Sequence, residues 1–120
     1  MAKILYVGTA GSDDPTRAGF PFNFALGAVE AGHQPEIFLA GEAAYLMKED
    51  IAGSVLPVGM PALAEMLKKV IEHKVPIYVC GLCSVARGVT ENDLKAKNAH
   101  FITPKIFAEK VAAAEKVVST

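Results

Sequence analysis

The runs Ile37-Phe38-Leu39 and Val75-Pro76-Ile77-Tyr78-Val79 place apolar side chains at consecutive positions. A strand with one wet face alternates apolar and polar residues, whereas an unbroken apolar strand needs cover on both faces. That demand confines the chain to a sheet held between layers of helix.

The segments around these runs supply the helices. Ile4 to Val7 reads as the first strand, ending at Gly8, and the polar loop Thr9 to Asp13 follows. Asp14 has the character of an N-cap, because Pro15 suits the first helical position and lacks the N–H that would go unpaired there. The helix from Pro15 is expected to reach Ala31, with Gly32 as its stop and Phe20, Phe24 and Ala28 on its inner face. Glu36 to Ala40 is expected as the second strand and Glu42 to Asp50 as a short helix. Gly53 to Gly59 reads as a loop holding at most a brief strand. Pro61 to His73 is a further helix, with Leu63, Met66, Leu67 and Val70 forming its stripe, and Val75 to Val79 the next strand. Thr90 and Asp93 form a capping-box pattern for a helix to about Lys97. His100 to Ile102 reads as the final strand, and Thr103-Pro104 caps a last helix through about Val118.

Strand and helix in alternation, joined by right-handed crossovers, give a mostly parallel sheet. The expected fold is α/β: a single three-layer α/β/α domain over residues 1–120, with four or five strands. A chain of 120 residues with 52% hydrophobic residues can bury a core without disulfide or metal staples. A formal net charge of −1, with the basic residues scattered, argues against nucleic acid or an anionic membrane surface as a partner. The first apolar run is too short for a signal peptide, and no run approaches the ~20 residues that span a bilayer. A cytoplasmic protein is the expectation. The mean hydropathy of +0.31 suggests a homo-oligomer with apolar surface covered by neighbouring copies, and the alanines Ala108, Ala112, Ala113 and Ala114 suit packing against another subunit and packing within the chain equally.

In an open parallel sheet, ligands gather beyond the carboxyl ends of the strands. Three segments converge there: Thr9 to Arg17, the residues after Ala40, and Cys80 to Arg87. The first has neither nucleotide-binding glycine pattern and reads as an ordinary loop with an Asp cap. His33, His73 and His100 are dispersed, and one C-x-x-C supplies two of the four ligands of a structural zinc site, so no metal and no cofactor is expected. No G-x-S-x-G elbow singles out a serine nucleophile.

Cys80-Gly81-Leu82-Cys83 remains. These are the only two cysteines, set where a strand gives way to a turn or helix. Free N–H groups converge at such a junction, so a thiol there should ionise more easily than a free one. If Gly81 to Arg87 is helical, Arg87 lies one turn after Cys83 and on the same side as Cys80, able to lower the thiol pKa values. Ser84 is placed to donate a hydrogen bond from the same turn, and Gly88 to end the helix. Taken singly, Cys80 and Cys83 read as small packing residues; taken together with Arg87, they read as a functional centre. A thioredoxin-like exchanger carries its C-x-x-C after an early strand and behind a tryptophan; this chain has no Trp and carries the pair late.

The stretch Val79-Cys80-Gly81-Leu82-Cys83-Ser84-Val85-Ala86-Arg87-Gly88-Val89-Thr90-Glu91 resembles the DsrE/DsrF/TusD-like sulfur-relay proteins. In these a cysteine at a strand end is followed seven residues later by Arg-Gly, a hydrophobic residue and Thr. The resemblance implies a small α/β subunit that assembles into dimers, trimers or hexamers and handles sulfur as a cysteine persulfide. Its partners would be sulfur donors and acceptors, either proteins or small sulfur species. Cys80 matches the sulfur-accepting cysteine and Arg87 the arginine of the motif. Cys83 has no counterpart in the TusD-type pattern, although some smaller prokaryotic members carry a second cysteine there. The implied function is a sulfurtransferase or carrier that loads Cys80 and passes sulfur to an acceptor thiol. Two other classes remain: a dithiol redox protein using a Cys80–Cys83 disulfide, and a non-enzymatic oligomeric binding module.

Overall fold

In the computed structural model, which describes residues 1–120, five parallel strands form one sheet in the order β4-β3-β2-β1-β5. The strands are β1 (Lys3–Gly8), β2 (Gln34–Leu39), β3 (Ile77–Cys80), β4 (Ala99–Ile102) and β5 (Lys116–Ser119). The helices are α1 (Pro15–Glu30), α2 (Glu49–Ala52), α3 (Leu63–Glu72), α4 (Gly81–Ala86), α5 (Glu91–Leu94) and α6 (Pro104–Ala113), with a 3-10 helix over Gly41–Met47.

The sequence places the helix starts through their caps. The Asp14 carboxylate accepts the Arg17 N–H at 3.2 Å and the Thr103 hydroxyl accepts that of Ile106 at 3.3 Å. At α5 the Thr90–Asp93 capping box is closed in both directions.

Alternation along the strands splits the core in two. Tyr6, Ile37, Leu39, Ile77, Val79 and Ala99 face α1 and α3 in the larger cluster, with Leu63, Met66, Leu67 and Val70 buried as their stripe predicts. Leu5, Phe38 and Ile102 face the other way, toward α6, where Phe38 stacks on Phe107 at 4.2 Å between ring centroids. Burying a side chain such as Phe22, fully enclosed under α1, stabilises the fold by about 2–3 kcal/mol.

The structure corrects several boundaries. The last helix stops at Ala113, and residues expected to continue it form β5 instead. The reason is tertiary: β1 would otherwise have a free edge, and Glu115 N–H to Lys3 O and Thr120 N–H to Val7 O, both 2.9 Å, bracket the new strand against it. The β-branched pair Val117-Val118 suits that conformation. On α1 the buried row is Ala18, Phe22, Ala25 and Ala28, while Phe20 and Phe24 stack on each other at 5.3 Å and Phe24 is exposed. The small alanines let the helix lie close on the sheet, so the row nearest the sheet is enclosed and not the bulkier one. The helix expected from Glu42 is mostly a 3-10 helix, β2 begins two residues earlier than expected, and residues 53–59 contain no strand.

Candidate functional site

The carboxyl ends of β1, β2 and β3 bring three segments to one rim of the sheet: the loop after Gly8, the start of the 3-10 helix, and α4. The contact between the first two is tight. A Cβ on Gly11 would collide with the backbone carbonyl of Glu42, so only glycine allows the loop to lie there. The loop closes on itself through the Gly11 N–H, donated to the Asp13 carboxylate at 2.8 Å. Together with the Asp14 cap, this makes it the ordinary βα loop read from the sequence.

Cys80 ends β3 and is at the same time the N-cap of α4, its sulfur accepting the Cys83 N–H at 3.4 Å. Strand alternation turns Cys80 toward the α6 side of the sheet, against the cluster of Leu5, Phe38 and Ile102. Cys83, one helical turn later, packs against the larger core on the opposite side. The pair therefore straddles the edge of the sheet. Both thiols are free and half-buried.

Their acidities diverge. Burial pushes the Cys80 thiol up, and the neighbouring Cys83 pushes it further, outweighing the N–H groups of Cys83 and Leu82. Burial acts the same way on Cys83, but the Cys80 thiol, the Gly41 N–H and the Arg87 charge together bring it below its ordinary value. The easier ionisation expected of Cys80 thus belongs to Cys83. Converging N–H groups favour a thiolate only when they exceed the cost of taking it out of water, and at Cys80 they do not.

Arg87 lies as the helical spacing requires, one turn after Cys83, and its Nη1 donates to the Cys83 carbonyl at 3.1 Å. Its charge helps to lower Cys83. It is also claimed by a residue that no sequence motif singled out. Glu42 accepts from Arg87 Nε at 3.1 Å and Nη2 at 2.7 Å, both on Oε1. The guanidinium lies over the Tyr45 ring, 5.6 Å from its centroid. Gly41 holds a φ of +57° at the end of β2, a conformation suited to glycine, which sets its N–H on the Cys83 side of the rim. Position beyond a strand's carboxyl end pointed to the segment after Ala40; picking Glu42 and Gly41 from it needs the contact itself.

Ser84 is almost completely enclosed and donates its hydroxyl to the Cys80 carbonyl at 2.8 Å, so that proton holds the strand–helix corner and is not offered to a thiol. Gly81 opens α4, and a side chain there would only reach ordinary contact with the Ile102 carbonyl. Leu82 and Val85 stand exposed on α4 at 74% and 80%, beside the thiols. The three histidines stay apart from this rim: His33 accepts the Ala2 N–H through Nδ1, His73 caps α3, and His100 sits on β4. No group of three or more His, Cys, Asp or Glu side chains is placed to hold a metal ion. The widest groove, about 1160 Å³ between α1 and α3, is lined by neither cysteine.

The chain matches the DsrE/DsrF-like family along residues 2–120. The chain belongs to that family. Members are associated in general with sulfur relay. Among its relatives, an uncharacterized protein of Methanocaldococcus jannaschii, MJ0989, is 37% identical over 78 residues, which is 65% of this chain and 65% of that protein. An uncharacterized protein of Methanopyrus kandleri, MK0008, is 35% identical over 77 residues, 64% of this chain and 60% of that protein. The chain thus spans just under two thirds of the length of these relatives. Among solved structures, YchN of Escherichia coli superposes with a TM-score of 0.71 at 20% identity, with both chains covered completely. A conserved protein of unknown function from Bacteroides thetaiotaomicron, BT1422, reaches 0.72 at 15% identity, with 99% of this chain and 95% of that one covered. These two likenesses establish the DsrE-like fold. No helix is long and apolar enough to cross a membrane.

Proposed function

We propose that this chain is a sulfur carrier, working as one domain, that accepts sulfane sulfur as a persulfide on Cys80 and passes it to an acceptor thiol. The observation that carries the reading is the Cys80–Cys83 contact at the carboxyl edge of the sheet, in which burial and hydrogen bonding favour the charge on one of two adjoining thiols. Family membership adds support, the family being associated in general with sulfur relay.

The chemistry balances without a cofactor. The Cys80 sulfur attacks the outer sulfur of a donor R–S–SH while its proton passes to the Cys83 thiolate. The donor S–S bond breaks, R–S⁻ leaves and takes up that proton, and Cys80–S–SH is formed. Attack by an acceptor thiol on the outer sulfur repeats the exchange and regenerates Cys80. Gly41 and Arg87 favour the charge on Cys83, and Ser84 and Gly81 hold the corner that sets the two thiols side by side. Exposed Leu82 and Val85 beside the thiols favour protein donors and acceptors over small species. The exposed outer strand β5 favours assembly of several copies.

Intact-mass measurement after incubation with a persulfide donor tests the reading. One added sulfur atom is expected in the wild type and its loss in Cys80→Ser; an unlabelled wild type, or an undiminished adduct in Cys80→Ser, overturns it. The same contact favours a second reading, a dithiol redox protein. That reading requires a reversible Cys80–Cys83 disulfide at a cellular glutathione potential without sulfur uptake. A purely non-enzymatic binding module would show neither.

A further inference from the structure

A thiol site that handles anionic sulfur gains from a nearby cation, yet the guanidinium here is bound to a carboxylate. Three nitrogens of Arg87 are engaged: Nε and Nη2 by Glu42 Oε1, and Nη1 by the Cys83 carbonyl. A guanidinium has five N–H donors, so at most two remain for a ligand. Its face is occupied by Tyr45. The Glu42 backbone lies against Gly11, which places the root of the side chain beside Arg87, and the carboxylate is held there by its two hydrogen bonds to the guanidinium. The groups facing Cys83 are therefore Cys80 and Arg87 from its own segment and Gly41 from the adjoining one, with Glu42 and Tyr45 behind Arg87.

We infer that Glu42 is a specificity-determining residue of this site: by neutralising Arg87 it lets the thiols take sulfur from persulfides and makes them refuse dianionic donors of the thiosulfate class. The inference rests on the sulfur-carrier reading and goes beyond it by naming the donors that are refused and the side chain that refuses them. The two donors differ in the charge that must be gathered at the thiols. Transfer from R–S–SH moves one proton and one sulfur, and the leaving group is a thiolate that is reprotonated. Transfer from thiosulfate joins a thiolate to a dianion, forming Cys–S–S⁻ and releasing sulfite, SO₃²⁻. Three negative charges are then shared along a row of three sulfurs and the sulfonate oxygens, and the reaction needs an unshared cation at that point. With Glu42 in place, Arg87 and the carboxylate sum to no net charge, and what reaches Cys83 is the field of an ion pair with its cation inward, weaker than that of an unshared cation.

Sulfur uptake followed by intact mass, with glutathione persulfide and thiosulfate supplied separately, decides the matter. In the wild type we expect labelling by the persulfide and at least about tenfold slower labelling by thiosulfate. Glu42→Gln keeps the shape and an acceptor oxygen but removes the charge. It should raise the thiosulfate-to-persulfide rate ratio by roughly tenfold, and adding Arg87→Gln to it should return the ratio toward the wild-type value. A carboxylate that merely clamps two loops would change both rates alike, and circular dichroism confirms that the variants are folded. Wild-type labelling by thiosulfate as fast as by persulfide, or an unchanged ratio in folded Glu42→Gln, overturns this inference and leaves the carrier reading standing. Absence of labelling by the persulfide itself overturns the carrier reading and this inference with it.

Discussion

The Cys80 sulfur accepts the backbone N–H of Cys83 at 3.4 Å, and the residue that donates this hydrogen bond is also the more acidic thiol of the two. Burial raises Cys80, while the Cys80 thiol, the Gly41 N–H and the Arg87 charge together lower Cys83. A lowered pKa means that the thiolate persists to lower pH. Alkylation by iodoacetamide, mapped by peptide mass across pH, should therefore label Cys83 at a lower pH than Cys80. Arg87→Gln removes a cation that favours the thiolate, so the Cys83 profile should move to higher pH. Cys80 reacting first would contradict the assignment.

Gly11→Ala places a methyl group where the Glu42 carbonyl lies. Either the loop or the 3-10 helix must shift, at a cost of about 1–3 kcal/mol. Because Glu42 carries the Arg87 contact, the same variant should also alter the Cys83 alkylation profile. A stability loss in denaturant unfolding without any change in thiol titration would show that the loop contact and the site are independent.

Phe107 joins α6 to the sheet through its stacked contact with Phe38 at 4.2 Å. No residue of α6 is fully buried, so this ring carries much of the attachment of that layer. Phe107→Ala should cost about 2–3 kcal/mol, and hydrogen exchange should accelerate in α6 and β5 before it does in α1 or α3. Uniform acceleration would mean that the layer does not loosen separately.

Asp93 accepts the Thr90 N–H at 2.8 Å and pairs with Lys48 at 3.3 Å. The Thr90 N–H, followed by Lys48, holds its carboxyl below the ordinary range. A carboxyl whose folded pKa is depressed contributes stability above its unfolded value, and that contribution fades as pH falls through the folded one. Asp93→Asn should therefore destabilise by about 1 kcal/mol near neutrality, with the gap to wild type closing in acid. A gap independent of pH would assign the effect to shape and not to charge.

Local rules made most of the fold legible. Asp14-Pro15, Thr90 with Asp93 and Thr103-Pro104 mark helix starts because capping is settled within a few residues. The stripe Leu63, Met66, Leu67 and Val70 marks the buried face of α3 for a similar reason. The failures lie where a partner distant in sequence intervened. Residues 116–119 left the helical pattern because the edge of β1 offered them hydrogen bonds, and Phe24 was left exposed because smaller residues brought α1 closer to the sheet.

The candidate site divides along the same line. Cys80, Cys83 and Arg87 are near neighbours within two turns of chain, so spacing was enough to place them together at a strand end. Glu42 lies 45 positions from Arg87, and no periodicity links them. The faces on which Cys80 and Cys83 lie, the thiol that ionises first and the net charge beside it all depend on segments meeting at the rim of the sheet. Electrostatics and desolvation act through space, so chain order could name the reactive residues, while the packing of β1, β2 and β3 set how they would behave.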